Sequence, residues 1–67
     1  MIFYLNGKKI KWDKNSCLII DILEKYNYSL DAVAVLVNDE IVKKDLWKNF
    51  QISNGDKIEV VGFVGGG

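Results

Sequence analysis

The pair Asn6-Gly7, set between two alternating stretches, constrains the fold of this chain more than any other feature. Asn-Gly supplies the two positive φ values of a two-residue type I′ turn, whose twist matches that of the strands it joins. A turn of that length fixes register: Leu5 faces Lys8, Phe3 faces Ile10 and Met1 faces Trp12. Met1, Phe3, Leu5, Ile10 and Trp12 therefore share one surface, and a slip of one residue would turn all of them outward. Ile2 and Tyr4 fall on the opposite face with Lys9 and Lys11, a half apolar and half basic surface suited to solvent or to a partner.

Something must cover the apolar side of that hairpin, and the next segment provides it. Asp13 to Ser16 reads as a loop, with Ser16 or Asn15 as the helix N-cap. Ile19, Ile22, Leu23 and Tyr26 then recur at i, i+3, i+4 and i+7, one apolar stripe, with Asp21, Glu24 and Lys25 on the wetter side. Asn27 to Asp31 closes the helix without a proline or glycine stop. Ala32 to Val37 is a β-branched strand, Asn38-Asp39 a tight turn and Glu40 to Lys43 a return strand. A two-residue turn there points Val33, Val35, Val37 and Val42 inward and leaves Leu36 and Ile41 outside. Lys44 to Phe50 reads as a helical or 3₁₀ turn whose Leu46, Trp47 and Phe50 seal the end of the core. After the turn Asn54-Gly55-Asp56, the last strand runs from Lys57 to Val61 with Ile58 and Val60 buried and Glu59 and Val61 outward.

The order is thus β-β-α-β-β-β. One helix covers only one face of a sheet, so the expected class is α+β, a mixed sheet with the helix packed on one side and the other side partly open. The β-grasp arrangement of ubiquitin-like domains meets this description, with a generic α+β layer as the alternative. Sixty-seven residues make one domain, expected to span 1–61 with a tail at 62–67. A core of that size supplies about 3 to 5 kcal/mol, so the fold must be locally consistent.

Composition narrows the function. Nine basic and nine acidic side chains cancel, which removes any general attraction to nucleic acid or to an anionic membrane. With no histidine there is no zinc set and no acid-base or nucleophilic constellation, so an enzyme is not expected. The single cysteine, Cys17, makes no internal disulfide, which points to the reducing cytosol. With no basic cluster near it, Cys17 reads as an inert, partly buried thiol. Trp12 and Trp47 read as core or rim, not as ligand platforms.

Gly65-Gly66-Gly67 closes the chain beyond an apolar strand. Glycine has no Cβ, so such a segment fits a channel that rejects side chains. Residues 62–67, fully extended, reach about 20 Å, enough to place a carboxylate in a recessed site while the body stays outside. Leu36, Ile2, Tyr4 and Val61 are the expected docking patch, continued by Phe63 and Val64 into the tail.

These pieces in this order resemble the ThiS family, sulfur carriers of thiamine biosynthesis. The likeness is carried by Ile2 to Gly7, by Val33 to Asn38, by Glu40-Ile41-Val42 with Trp47, and by Asn54 to Val61 followed by Gly66-Gly67. Two departures are a helix start reading Ser16-Cys17-Leu18-Ile19, where the family commonly has a threonine, and the third glycine, Gly65. The resemblance implies that Gly67 is the sulfur attachment point, with Gly65, Gly66, Phe63 and Val64 recognised along the tail. It implies no cofactor bound by this chain and MgATP used by an E1-like adenylating enzyme of the ThiF type. The further partners implied are a thiazole synthase of the ThiG type and a sulfur donor such as a cysteine desulfurase or sulfurtransferase. A molybdopterin-type or other metabolic sulfur carrier, and a ubiquitin-like modifier or binding module, stay open as alternatives.

Overall fold

In the computed structural model, which describes residues 1–62, the strands and helix follow the order read from the turns. β1 (Ile2–Leu5) and β2 (Lys8–Lys11) form the first hairpin, with Asn6 at φ 50° and Gly7 at φ 81°. Leu5 faces Lys8 and Phe3 faces Ile10. Met1 and Trp12 extend the ladder through main-chain bonds of 3.1 and 2.8 Å. Phe3, Leu5 and Trp12 are buried, and the Phe3 and Trp12 rings lie 5.7 Å apart.

The helix α1 (Ile19–Lys25) begins later than expected. Neither Ser16 nor Asn15 caps it: the N-cap is Leu18, whose N–H donates to the Asp21 carboxylate at 2.9 Å. Asp21 thus supplies the reaching-back half of a capping box and a negative charge at the positive end of the helix. The delay has a cause in the preceding residues. Leu18 bridges Gln51 in antiparallel fashion and Ile52 N–H donates to the Cys17 carbonyl at 2.7 Å, so this segment is held extended. Ser16 is used there too, its hydroxyl donating to Gln51 Oε1 at 2.9 Å.

At the other end, Ile19, Ile22 and Leu23 are fully buried, whereas Tyr26, expected as the fourth member of the stripe, is the exposed C-cap. The stop is a Schellman motif built on asparagine. Asn27 takes φ 59° and donates to the Glu24 carbonyl at 3.2 Å, while Tyr28 N–H reaches back to the Leu23 carbonyl at 2.9 Å.

β3 (Val33–Val37) and β4 (Glu40–Val42) form the second hairpin, with Asn38 and Asp39 at φ 51° and 71°. Val37 faces Glu40 and Val35 faces Val42, as the turn length requires. A 3₁₀ turn at Lys44–Leu46 follows. Trp47 is buried with its indole N–H on the Val42 carbonyl at 2.9 Å, and Phe50 is partly buried. Leu46, expected to help seal the core, is exposed: of two adjacent residues only one can point inward here, and the larger ring does so.

β5 (Lys57–Gly62) runs one residue further than expected, placing Gly62 opposite Val33. The sheet order is β2-β1-β5-β3-β4, with β5 parallel to β1 and antiparallel to β3. The crossover from β2 through α1 therefore delivers β3 parallel to β2, and β1 and β5 fill the gap between them. This is the β-grasp fold. Its core joins Phe3, Val35 and Ile58 to Ile19, Ile22 and Leu23 of the helix, and adds Cys17 and Ile52, which strand and helix periodicity did not select.

Candidate functional site

The strand that carries the tail is the middle one. β5 lies between β1 and β3, so Ile58 and Val60 sit in the core and Val61 stands outward at 46% exposure. Gly62 is in line with Val33, and a Cβ there would meet only the Ala32 carbonyl at 3.9 Å. The body itself does not require glycine at that position. The attachment point Gly67 and the tail residues Phe63, Val64, Gly65 and Gly66 lie outside the described residues.

On the sheet face away from the helix, Leu36 pairs with Ile41 on one side and Glu59 on the other, and Ala34 pairs with Val61. Leu36 and Val61 are thus diagonal neighbours, a spacing of about 7–8 Å between Cα atoms. Leu36 is half-buried while Ile41 is 72% exposed. Ala34, Leu36, Ile41 and Val61 make one apolar area beside the exit of the tail. Tyr4 and Ile2, grouped with them from the sequence, lie elsewhere. Tyr4 faces Lys9 and Lys57, and Ile2 faces Lys11. Because Tyr4 is in register with Lys57, Val61 is four β5 positions further along, about 13 Å.

Lys57 and Glu59 stand between the two groups on the outward side of β5. Lys57 is tied to Asp39 at 2.9 Å, and that hydrogen bond, with the charge behind it, holds the ammonium pKa above its usual range. The expected patch is therefore two limbs, an apolar one at Leu36 and Val61 and a mixed aromatic and basic one at Tyr4 and Ile2. Ile41 belongs with the first limb. Its outward phase and its place opposite Leu36 were already given by the Asn38-Asp39 turn; its grouping with Val61 needed the sheet order.

Other chemistry-bearing residues are placed away from reaction. Cys17 is fully buried, and burial first, then the nearby Asp21, pushes its thiol up to about 11. At neutral pH only about one molecule in 10⁴ holds a thiolate, so the sulfur is neither reachable nor nucleophilic. Trp12 and Trp47 are core residues whose indole N–H groups are taken by the Ser16 and Val42 carbonyls. Among the described residues no group of histidine, cysteine and carboxylate side chains is arranged to hold a metal, and no helix is long and apolar enough to cross a membrane.

Comparison with known proteins agrees with this geometry. The ThiS family pattern matches residues 14–67. The chain is 41% identical over 63 residues to the sulfur carrier protein ThiS of Bacillus subtilis (strain 168), covering 94% of this chain and 96% of that one. It is 34% identical over 65 residues to the uncharacterized protein ycf40 of Trieres chinensis, covering 97% and 88%. The crystal structure of the thiamine biosynthesis protein ThiS from Geobacter metallireducens superposes over the whole of both chains with a TM-score of 0.88 at 26% identity. On the family pattern, the near full-length relatives and the shared fold, the chain belongs to the ThiS family.

Proposed function

We propose that this protein is a sulfur carrier of thiamine biosynthesis, a protein co-substrate and not an enzyme, that bears sulfur as a thiocarboxylate on Gly67. The observation that carries the reading is the family match running through the final glycines of a β-grasp body. A carboxylate is a poor electrophile, so the Gly67 carboxylate must first be activated. An adenylating enzyme of the ThiF type does this with MgATP: a carboxylate oxygen attacks the α-phosphorus, pyrophosphate leaves, and an acyl adenylate forms. A sulfur nucleophile equivalent to hydrosulfide then attacks the acyl carbon. The carbon–oxygen bond to AMP breaks, a carbon–sulfur bond forms, and AMP departs from a thiocarboxylate. The donor is an enzyme that mobilises sulfur as a persulfide, such as a cysteine desulfurase or sulfurtransferase. A thiol reductant supplies the two electrons that bring this sulfur to the hydrosulfide level and is itself oxidised to a disulfide, and the acceptor of the carried sulfur is a thiazole synthase of the ThiG type.

In this scheme the body supplies recognition. The apolar limb at Leu36, Ile41 and Val61, adjoining the tail exit, docks on the adenylating enzyme, and Tyr4 and Ile2 form a separate, secondary contact beyond Lys57 and Glu59. Phe63 and Val64 lead into a channel narrow enough to require Gly65 and Gly66.

The test is incubation with the adenylating enzyme, MgATP and a sulfur donor, followed by mass analysis of the C-terminal peptide. A gain of about 16 Da on the glycine peptide, sensitive to alkylation as a thiol acid and distinct from sulfoxide on Met1, is the expected outcome. Sulfur on Cys17 with Gly67 unmodified would overturn the mechanism. Isopeptide-linked adducts of Gly67 with cellular lysines would identify a modifier instead.

A further inference from the structure

The amide side chain of Asn6 is in excess of what its turn needs. A type I′ turn asks only for left-handed φ at both central residues, and glycine at position 6 would meet that as Gly7 does. Asn6 instead extends its side chain to the strand that carries the tail.

The β1·β5 ladder explains the destination. Tyr4 N–H donates to the Asp56 carbonyl and Asn6 N–H to the Ile58 carbonyl, each at 2.9 Å, with Tyr4 opposite Lys57 and Leu5 opposite Ile58. The even spacing of a parallel ladder places the next bond between Val60 N–H and the main-chain carbonyl of residue 6. But the chain reverses at Asn6 to enter β2. Val60 N–H is met by the Asn6 side-chain carbonyl Oδ1, at 2.8 Å and partly buried, across 54 positions of sequence. On the other side the Asn6 amide nitrogen faces the Tyr28 hydroxyl at 3.4 Å, in the segment that closes α1. Beyond Val60 the paired neighbour of β5 is β3 alone, through Val61 with Ala34 and Gly62 with Val33. Asn6 therefore stands where the strand passes from two-sided to one-sided support.

We infer that Asn6 is a positioning residue for the transfer chemistry: by replacing the absent β1 carbonyl at Val60 it fixes the direction in which β5 delivers the tail. This rests on the sulfur-carrier reading. Direction matters because error grows with reach. Any change in the direction of β5 at Val60 is passed to the chain beyond it, and about 1 Å of misplacement at reacting groups is enough for a 100-fold loss.

The experiment compares Asn6→Gly, which keeps the turn and loses the acceptor, with Asn6→Asp, which keeps both an acceptor oxygen and tolerance of positive φ. In the free protein, amide exchange at Val60 should accelerate about 10-fold in Asn6→Gly relative to Val35, and stay near the parent value in Asn6→Asp. In steady-state adenylation by the adenylating enzyme, Asn6→Gly should lower kcat about 10-fold with KM within about 2-fold, and Asn6→Asp should restore it. Unchanged kcat in Asn6→Gly, or an Asp variant no better than the Gly variant, overturns the positioning role while the parent chain is still adenylated. A parent chain that is not adenylated at all overturns the carrier reading, and the positioning role with it; the exchange rates then report the Val60 tie alone.

Discussion

Among the described residues positive φ falls on Asn6, Asn27, Asn38 and Asp39 as well as on Gly7 and Gly55, and two of the asparagines, Asn6 and Asn38, do two things at once. Their backbones take the left-handed region and their side chains stand in for main-chain groups. Asn38 Oδ1 accepts from Lys57 N–H at 3.0 Å and Asn6 Oδ1 from Val60 N–H at 2.8 Å; Asn54, outside the positive-φ set, uses its side chain alone, Oδ1 accepting from Ile2 N–H at 2.6 Å. Asn27→Ala should cost about 1 kcal/mol by forcing a Cβ-bearing residue without a helpful side chain into the left-handed region, whereas Asn27→Gly should be close to neutral; urea midpoints decide. Cys17 gives a pH prediction with a definite sign. Its thiol ionises near its ordinary 9.0 when unfolded and near 11 when folded, so between those values the native state holds more proton than the unfolded one. Stability should therefore fall as pH rises from about 9 to about 11 and be indifferent to this group below about 8, and Cys17→Ala should flatten that part of the profile. At this scale the sequence was only half legible: asparagine announced the turns, but its side-chain partners 18 to 54 positions away depend on the sheet order.

Elements were legible wherever a two-residue turn set the phase. Both hairpin registers follow from turn length, and Val35 inward with Leu36 outward is the direct result. Val35→Asp should unfold the domain, since a buried unpaired carboxylate costs several kcal/mol against a total of about 3 to 5. Leu36→Asp should fold normally and weaken binding to the adenylating enzyme about 100-fold, and Ile41→Asp should follow it; Ile2→Asp, beyond Lys57 and Glu59, should change affinity less than about 5-fold. Titration calorimetry on folded variants checks each. The helix start was not legible for a physical reason. Ser16 has the side chain of an N-cap, but Cys17 and Leu18 are drawn into an extended bridge with Gln51 and Ile52, a contact across more than thirty positions that no local pattern contains. The same contact hid Ile52 from the core and made the burial of Cys17 complete where its sequence context pointed to partial burial, because neither lies in a run of helical or alternating period.

Across the whole molecule, the buried cluster found among the described residues is assembled from residues between Phe3 and Val60. Deleting Gly66 and Gly67 should leave Tm within about 2 °C of the parent yet abolish ATP-dependent adenylation. Adding one alanine after Gly67 should block transfer as well, by carrying the carboxylate past the catalytic position, while calorimetry still registers docking. Normal transfer from the shortened chain would refute the carrier mechanism. The central place of β5 has a further consequence for synthesis. As the chain emerges, its two hairpins are made before the strand that joins them in the sheet, because β5, which lies between β1 and β3, follows both in the sequence. The sheet knits only when the segment adjoining the reactive glycines is present. A ribosome that stops before β5 releases a chain with no body for a partner to recognise, so the topology itself ensures that whatever is offered for activation already carries the strand that leads into the tail.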